Sequence, residues 1–121
     1  MDIKLMQIHS NEFLDHAIEL YKKLLPTNEK VATENFFSHA GGLQYELSQL
    51  SDYEPKSMRL QKIASIHDHA KKVIHWLGII DKLHLTGINI KPLMNEATTI
   101  EERIADGYNM ERKVVPVKQY F

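Results

Sequence analysis

The chain has 121 residues, of which 43% are hydrophobic and 26% are charged, and these are the proportions of an ordinary globular domain. A chain of this length should form one domain with one core. Fifteen basic and sixteen acidic residues give a formal net charge of −1, so no overall field attracts nucleic acid or an anionic membrane. There is no cysteine, which excludes disulfides, thiolate metal sites and thiol nucleophiles.

The first helix is predicted over residues 11–25. Its apolar residues recur at spacings of three and four, which places them on one face of a helix. They are Phe13, Leu14, Ala17, Ile18, Tyr21, Leu24 and Leu25. Acidic residues early in the segment, with Lys22 and Lys23 late in it, suit the helix dipole at both ends. Pro26 should end the helix, because proline cannot continue it.

The second helix is predicted over residues 28–51, with Thr27 or Asn28 as its N-cap. Its apolar positions are Ala32, Phe36, Ala40, Leu43, Leu47 and Leu50. Gly41 and Gly42 lie in the middle of this segment. A glycine inside a helix costs about 1 kcal/mol relative to alanine, so the pair predicts a close approach by another helix.

The third helix is the longest and is predicted over residues 56–86. Pro55 fits its first turn, and Gly87 is a natural cap for its C-terminal end. The residues that trace its inward face are Ile63, Ile66, Ala70, Val73, Ile74, Leu77 and Ile80.

The fourth helix is predicted over residues 92–106, from Pro92 to the residue before Gly107. Its apolar positions are Leu93, Ala97, Ile100 and Ile104. Four helices joined by short links favour an all-α fold, an antiparallel up-down-up-down four-helix bundle. Residues 1–107 would then be the bundle domain, and residues 108–121 an extended C-terminal tail.

Nothing in the sequence predicts export or a membrane span. The first ten residues, MDIKLMQIHS, contain no long apolar run and no basic leader. No segment approaches the ~20 apolar residues that span a bilayer. We therefore expect a cytoplasmic protein with no membrane partner.

Three histidines lie close together in the third helix. His67 and His69 are two residues apart, roughly 200° around the helix axis, so they point in different directions. His67 and His75 are about 12 Å apart along the axis, which is too far for one metal ion. These spacings favour surface histidines, with His67 at the edge of the core, over a metal site.

A mononuclear metal-dependent enzyme is the alternative hypothesis. Its ligands would be His16, His39 and His67, which lie on three different predicted helices. The Glu-x-x-His motif of di-iron bundles does not occur in the chain. No Ser–His–acid order, glycine-rich phosphate loop or inward carboxylate pair indicates catalysis. We therefore expect no enzymatic activity, no catalytic residue and no cofactor.

The first two thirds of the third helix are basic. Between Pro55 and Trp76 there are five basic residues and one acidic residue, Asp68. The basic residues are Lys56, Arg59, Lys62, Lys71 and Lys72. Such residues can contact phosphates, although a solvated surface is the alternative interpretation. No aromatic residue interleaves with them as a base-stacking surface requires, so we expect at most weak nucleic-acid binding.

The apolar arc of the third helix is wider than a monomeric bundle needs. Met58 and Trp76 fall on one line about 140° from Ile63, and Ile79 lies beyond them. A stripe a little over ~100° wide is enough for a helix that faces a core. The excess predicts contact with another copy of the chain through Met58, Trp76 and Ile79. Scattered exposed apolar residues are the alternative.

Several short segments carry a family resemblance. They are AIELYKKL in the first helix, SHAGG in the second, EPK at the start of the third, KKVIHWL further along it, and LMNEATTIEERI in the fourth. SHAGG stands where the family has arginine followed by small residues, and KKVIHWL where it has a segment ending in aromatic-Trp-Leu. In these segments the chain resembles the four-helix bundle proteins encoded within intervening sequences of bacterial 23S ribosomal RNA genes. That family includes the accessory variability protein of diversity-generating retroelements.

The resemblance implies a non-enzymatic bundle that forms a homo-oligomer, such as the ring of five copies seen in relatives. It also implies a nucleic-acid or nucleoprotein partner, because the accessory protein is thought to bind nucleic acid together with a reverse transcriptase. That relative is strongly basic, whereas this chain is not. Ser38 stands in place of the family's arginine, and the asparagine expected near Glu46 is absent.

Overall fold

The structure, a computed structural model, describes residues 1–85 and 87–113. These residues form four helices: α1 (Ile3–Leu24), α2 (Lys30–Ser48), α3 (Lys56–Leu83) and α4 (Lys91–Lys113). Consecutive helices pack against each other across short loops, and the predicted all-α, antiparallel up-down-up-down bundle is confirmed. Residues 114–121, which make up most of the predicted tail, lie outside the described part of the chain.

The four helices close into a ring in which each helix packs against two neighbours. The pairs in contact are α1 with α2, α2 with α3, α3 with α4, and α4 with α1. Within residues 1–85 and 87–113, neither diagonal pair of helices approaches closely. The α2–α3 pair packs most closely and the α1–α4 pair least closely, so the bundle has one loose seam.

The core runs the full length of the bundle along the centre of the ring. Its largest fully buried apolar side chains are Phe13, Phe36, Leu24, Leu43, Leu47, Ile63, Ile66, Leu77, Ile80, Ile104 and Val73. Each such side chain contributes about 1.5–3 kcal/mol when it leaves water. The remaining faces are largely polar, and no helix among the described residues is both long enough and apolar enough to cross a membrane.

Helix α1 begins eight residues before the predicted start. Ile3 and Met6 continue the buried stripe that leads to Phe13, but Ser10 interrupts its apolar pattern in the sequence. Ser10 is itself buried, and its hydroxyl donates a hydrogen bond to the carbonyl of Gln7 at 3.0 Å. A buried serine can therefore continue a core stripe when its hydroxyl bonds within its own helix.

Helix α2 is capped by Glu29 rather than by Thr27 or Asn28. The Glu29 carboxylate accepts a hydrogen bond from the backbone N–H of Ala32 at 3.1 Å. Thr27 belongs to the end of α1 instead, because its hydroxyl donates to the carbonyl of Leu24 at 2.7 Å. The predicted start of this helix was two residues too early.

The predictions that Gly87 caps the end of α3 and that Gly107 ends α4 are wrong. Helix α3 ends at Leu83, its C-cap residue His84 has a left-handed φ of 49°, and Gly87 lies in the loop beyond with φ of 67°. Gly107 does not end α4, which continues to Lys113. A side chain at Gly107 would collide with Met1, so this glycine lets the start of the chain pack on α4. Pro55, expected inside the first turn of α3, stands just before it as the N-cap residue.

Candidate interaction surface and polar clusters

Arg59, one of the predicted nucleic-acid contacts, is bound within the protein. Its Nε donates to Oε2 of Glu111 at 2.8 Å, and its Nη1 donates to the carbonyl of Asp52 at 3.0 Å. The side chains of Arg59 and Glu111 are only 20% and 15% exposed. This pair ties the start of α3 to the last turns of α4, beyond the predicted end of that helix.

Two more of the predicted basic contacts are paired with carboxylates. Nζ of Lys62 lies 2.7 Å from Oε2 of Glu54, and Nζ of Lys72 lies 3.0 Å from Oδ2 of Asp68. The hydrogen bond from Lys72 lowers the pKa of Asp68. Lys56 and Lys71 lie on the exposed surface of α3. Lys62 and Lys71 point about 180° apart around the helix, so the five cations do not form one surface.

The three histidines of the metal hypothesis have separate partners. Nδ1 of His16 lies 2.8 and 2.9 Å from the two carboxylate oxygens of Glu96. Nε2 of His67 lies 2.8 Å from Oε1 of Glu101. His39 contacts another histidine, as described below. The structure does not bring His16, His39 and His67 together, and the described residues contain no group of three or more His, Asp or Glu side chains that could hold a metal ion.

The His16–Glu96 pair lies at the α1–α4 seam, and its contact predicts a measurable shift in the pKa of His16. The hydrogen bond from His16 to Glu96 raises the pKa of His16, with a smaller opposing effect of burial. We expect NMR titration to give a pKa above the ordinary value of about 6.5, and Glu96→Gln to lower it. The pair therefore stabilises the fold fully at pH values below the pKa that His16 has in the unfolded chain. This stabilisation is lost as the pH rises through the higher pKa that His16 has in the folded protein. An unchanged pKa in Glu96→Gln would contradict the pairing.

A groove accompanies the same seam between α1 and α4. Its volume is about 300 Å³, and its residues are His16, Glu19, Leu20, Lys23, Ile88, Asn89, Ile90, Pro92, Leu93 and Glu96. Further along the seam, Nη1 of Arg103 donates to Nδ1 of His9 at 3.0 Å. Polar side chains thus connect α1 and α4, which pack less closely than the other neighbouring helices.

His39 of α2 and His69 of α3 form a cluster that the sequence spacing did not indicate. The Nδ1 atoms of the two rings lie 3.0 Å apart, and Nε2 of His69 lies 3.3 Å from Oε2 of Glu46. Burial lowers the pKa of His39, and the nearby charges of His69 and Lys72 lower it further, while Asp68 acts in the opposite direction. His39 is therefore biased toward its neutral form.

The cluster explains one of the two adjacent glycines. A Cβ atom at Gly42 would lie 2.7 Å from the His69 ring, whereas a Cβ atom at Gly41 would have nothing within 4 Å. The predicted close helix approach is therefore found at Gly42 and not at Gly41. The His69 ring occupies the space that a side chain at Gly42 would need.

This difference predicts that alanine will stabilise the protein more at position 41 than at position 42. Gly41→Ala should raise the free energy of unfolding by about 0.5–1 kcal/mol, because alanine favours the helix and meets no neighbour. Gly42→Ala should show less gain or a loss, because the new methyl group displaces the His69 ring. Urea unfolding of both variants measures the two values, and equal stabilisation would show that the ring does not rest on Gly42.

The outer face of α3 changes from polar to apolar along its length. The polar part is formed by Gln61, Ser65, Asp68 and Lys72, which are all exposed. Trp76, Ile79 and Leu83 follow at spacings of three and four and so share one side of the helix. We call these three residues the outer apolar patch. Trp76 and Ile79 are half-buried against the core of their own chain, and Leu83 is 46% exposed.

Met58, predicted to join the same surface, lies apart from the patch. It is exposed, but it precedes Trp76 by eighteen residues, which is about 27 Å along a helix. The structure thus keeps Trp76 and Ile79 together and separates Met58 from them. Leu83 was missed, although its spacing of four residues from Ile79 places it on the same side of the helix.

Comparison of the chain with protein-family models, with curated proteins and with solved structures found no match. The resemblance to the intervening-sequence bundle proteins therefore rests on the short segments of the sequence that carry it.

Proposed function

We propose that this protein is a non-catalytic, homo-oligomeric four-helix bundle whose copies associate through the outer apolar patch of α3. The observation that carries the proposal is the position of the patch. Ile79 and Leu83 lie on the outer side of a helix whose opposite side is already committed to the core, and Trp76 lies beside them on the flank of that inward face. The resemblance to the intervening-sequence bundle proteins supports the same kind of assembly, with five copies as the arrangement that it implies.

A second copy of the chain suits this patch as a partner. Charged residues of both signs, Asp68 and Lys72, precede the patch on the same side of the helix, and both are exposed. When two copies meet through the same patch, the anion of one is available to the cation of the other. The net charge of −1 adds little repulsion between whole chains.

The proposed interface needs apolar area beyond the patch. A stable interface buries about 800 Å² on each partner, which is more than three side chains provide. Val31, at the start of α2, is exposed at the same end of the bundle as the patch, because α2 and α3 are antiparallel. Tryptophan is enriched in the centres of interfaces, and each Å² of apolar surface buried there contributes about 25 cal/mol.

The proposal also includes the absence of catalysis and a nucleic-acid partner. His16, His39 and His67 each bond to a different side chain, which does not favour the three-histidine catalytic metal site. The nucleic-acid partner rests on the resemblance alone. Arg59, Lys62 and Lys72 are paired with carboxylates of the same chain, so we expect any binding to be weak and salt-sensitive.

The mass of the protein in solution tests the proposal directly. We expect light scattering on untagged protein to give a mass of two or more 14.1 kDa chains. Dilution should lower this mass as the oligomer dissociates. A mass of one chain at the highest soluble concentration would rule out self-association.

A further inference from the structure

The His39–His69 cluster presents two ring nitrogens to each other. The two facing atoms are both Nδ1, and their separation is 3.0 Å. The Glu46 carboxylate lies 3.3 Å from Nε2 of His69 and favours a proton on that nitrogen, and a neutral His69 ring then has an unprotonated Nδ1 whose lone pair points toward His39. His39 then donates its Nδ1 proton into that lone pair. A single proton thus lies between two nitrogen atoms that are both able to bind a metal.

We propose that His39 and His69 form a two-histidine site for a divalent late transition-metal ion, such as Zn²⁺, Ni²⁺ or Cu²⁺, which binds between the two Nδ1 atoms. Imidazole nitrogen is a preferred ligand of these ions. The ion takes the place of the shared proton. His39 changes to its Nε2–H tautomer by exchange with solvent, so the neutral pair loses no net proton.

The observed separation is close to the one that such an ion needs. Zinc binds imidazole nitrogen at about 2.0–2.1 Å, so two nitrogens of a tetrahedral site lie about 3.3 Å apart. The Nδ1 atoms of His39 and His69 are 3.0 Å apart before any ion enters. A small rotation of either ring supplies the difference. The rings are tilted by 48° and not stacked, which leaves the two nitrogens facing each other.

Glu46 and Gly42 hold His69 in the orientation that the site needs. A metal-binding histidine usually donates its second ring N–H to a carboxylate, which fixes its tautomer, and Glu46 occupies that position behind His69. Glu46 is held in turn by the hydroxyl of Ser65, which lies 3.0 Å from both carboxylate oxygens. Gly42 leaves room for the ring against α2.

The charges around the pair permit a bound cation. Lys72 lies nearby, but its ammonium group is paired with the carboxylate of Asp68 at 3.0 Å. Glu46 adds a negative charge on the His69 side. With two protein ligands the other coordination positions fall to water, which is the arrangement of an open and exchangeable site and not of a closed structural one. A chelator should therefore remove the ion readily, without unfolding the bundle.

Zinc titration of untagged protein with ¹⁵N-labelled histidine tests the site. We expect one Zn²⁺ per chain, with shifts of the Nδ1 resonances of His39 and His69. His39→Ala and His69→Ala should each weaken Zn²⁺ binding by at least about tenfold, and Glu46→Gln by about 10- to 100-fold. His75→Ala is the matched control, because His75 is exposed on the same helix and outside the cluster, and it should bind Zn²⁺ like the unmodified chain.

The opposite results would overturn the proposal. These are the absence of saturable Zn²⁺ binding, or binding that survives both His39→Ala and His69→Ala. Circular dichroism of each variant shows whether it is folded. If the substitutions unfold the chain, the zinc titration of the unmodified protein still tests the site. Zinc bound at other histidines would not shift the Nδ1 resonances of His39 and His69.

Discussion

Leu83→Glu is expected to dissociate the oligomer while leaving the helical content of the chain unchanged. About half of the Leu83 side chain is exposed in the single chain, so a carboxylate there can remain in water when the bundle folds alone. In the proposed interface the same carboxylate would be buried beside Trp76 and Ile79. Losing the burial of one leucine costs about 2 kcal/mol, which weakens each contact about thirtyfold before the charge is counted.

Met110→Glu is the matched control for this experiment. Met110 is 65% exposed on α4, so the substitution introduces the same charge at another exposed apolar residue. It should leave the oligomer intact when light scattering and circular dichroism are measured on the same samples. If Leu83→Glu remains oligomeric, the interface lies elsewhere, and if both variants dissociate, the effect comes from net charge and not from the patch.

Trp76→Glu is a less selective test than Leu83→Glu. Trp76 packs partly against the core of its own chain, so a charge there would lower the stability of the bundle and its association together. The sequence predicted that Trp76, about 140° from Ile63 around the helix, would contact another copy of the chain. The structure gives it both roles, because its direction lies on the flank of the inward face.

Arg59→Ala is expected to lower the free energy of unfolding by about 2 kcal/mol, or roughly 8 °C in Tm. The substitution removes charged hydrogen bonds to Glu111 and to the carbonyl of Asp52. It also leaves the Glu111 carboxylate, which is mostly buried, without its cation, and such an unpaired charge is costly. Urea unfolding followed by circular dichroism gives the value.

Two further variants separate this effect from a general loss of charge. Lys72→Ala removes an exposed helix pair with Asp68 and should leave the free energy of unfolding nearly unchanged, because solvent screens such a pair. In the double variant with Glu111→Gln, the loss caused by Arg59→Ala should shrink, because the partner charge has already been removed. An Arg59→Ala protein as stable as the unmodified chain would show that the side chain is free to bind a phosphate instead.

The core stripes of the helices could be predicted because they depend on spacing within one segment. Phe13 and Ala17 of α1, or Ile63 and Ile66 of α3, are buried as their periodicity required. The ends were less predictable, since they depend on side chains that do not follow the apolar pattern. Ser10 concealed the first turns of α1, and Gly107 resembled a stop although it serves to accommodate Met1.

The polar clusters could not be predicted, because each joins residues from different helices. His69 was assigned to the surface from its angle on α3, and nothing in that segment shows that His39 and Glu46 of α2 lie opposite. Arg59 resembled a free cation because Glu111 lay in the predicted tail. The adjacent glycines Gly41 and Gly42 were the one local feature that indicated the cluster. Gly42 does mark a close approach between helices, and Gly41 does not.

The loose seam between α1 and α4 has a consequence for the order of folding. Its polar contacts join residues far apart in the chain, 94 positions for His9 and Arg103 and 80 for His16 and Glu96, whereas His39 and His69 are 30 apart. Closing a longer loop costs more conformational entropy, so the α2–α3 hairpin can form first and α1 docks onto α4 last. The same seam should open first in the native protein, and amide hydrogens of α1 should exchange with solvent before those of α2 and α3.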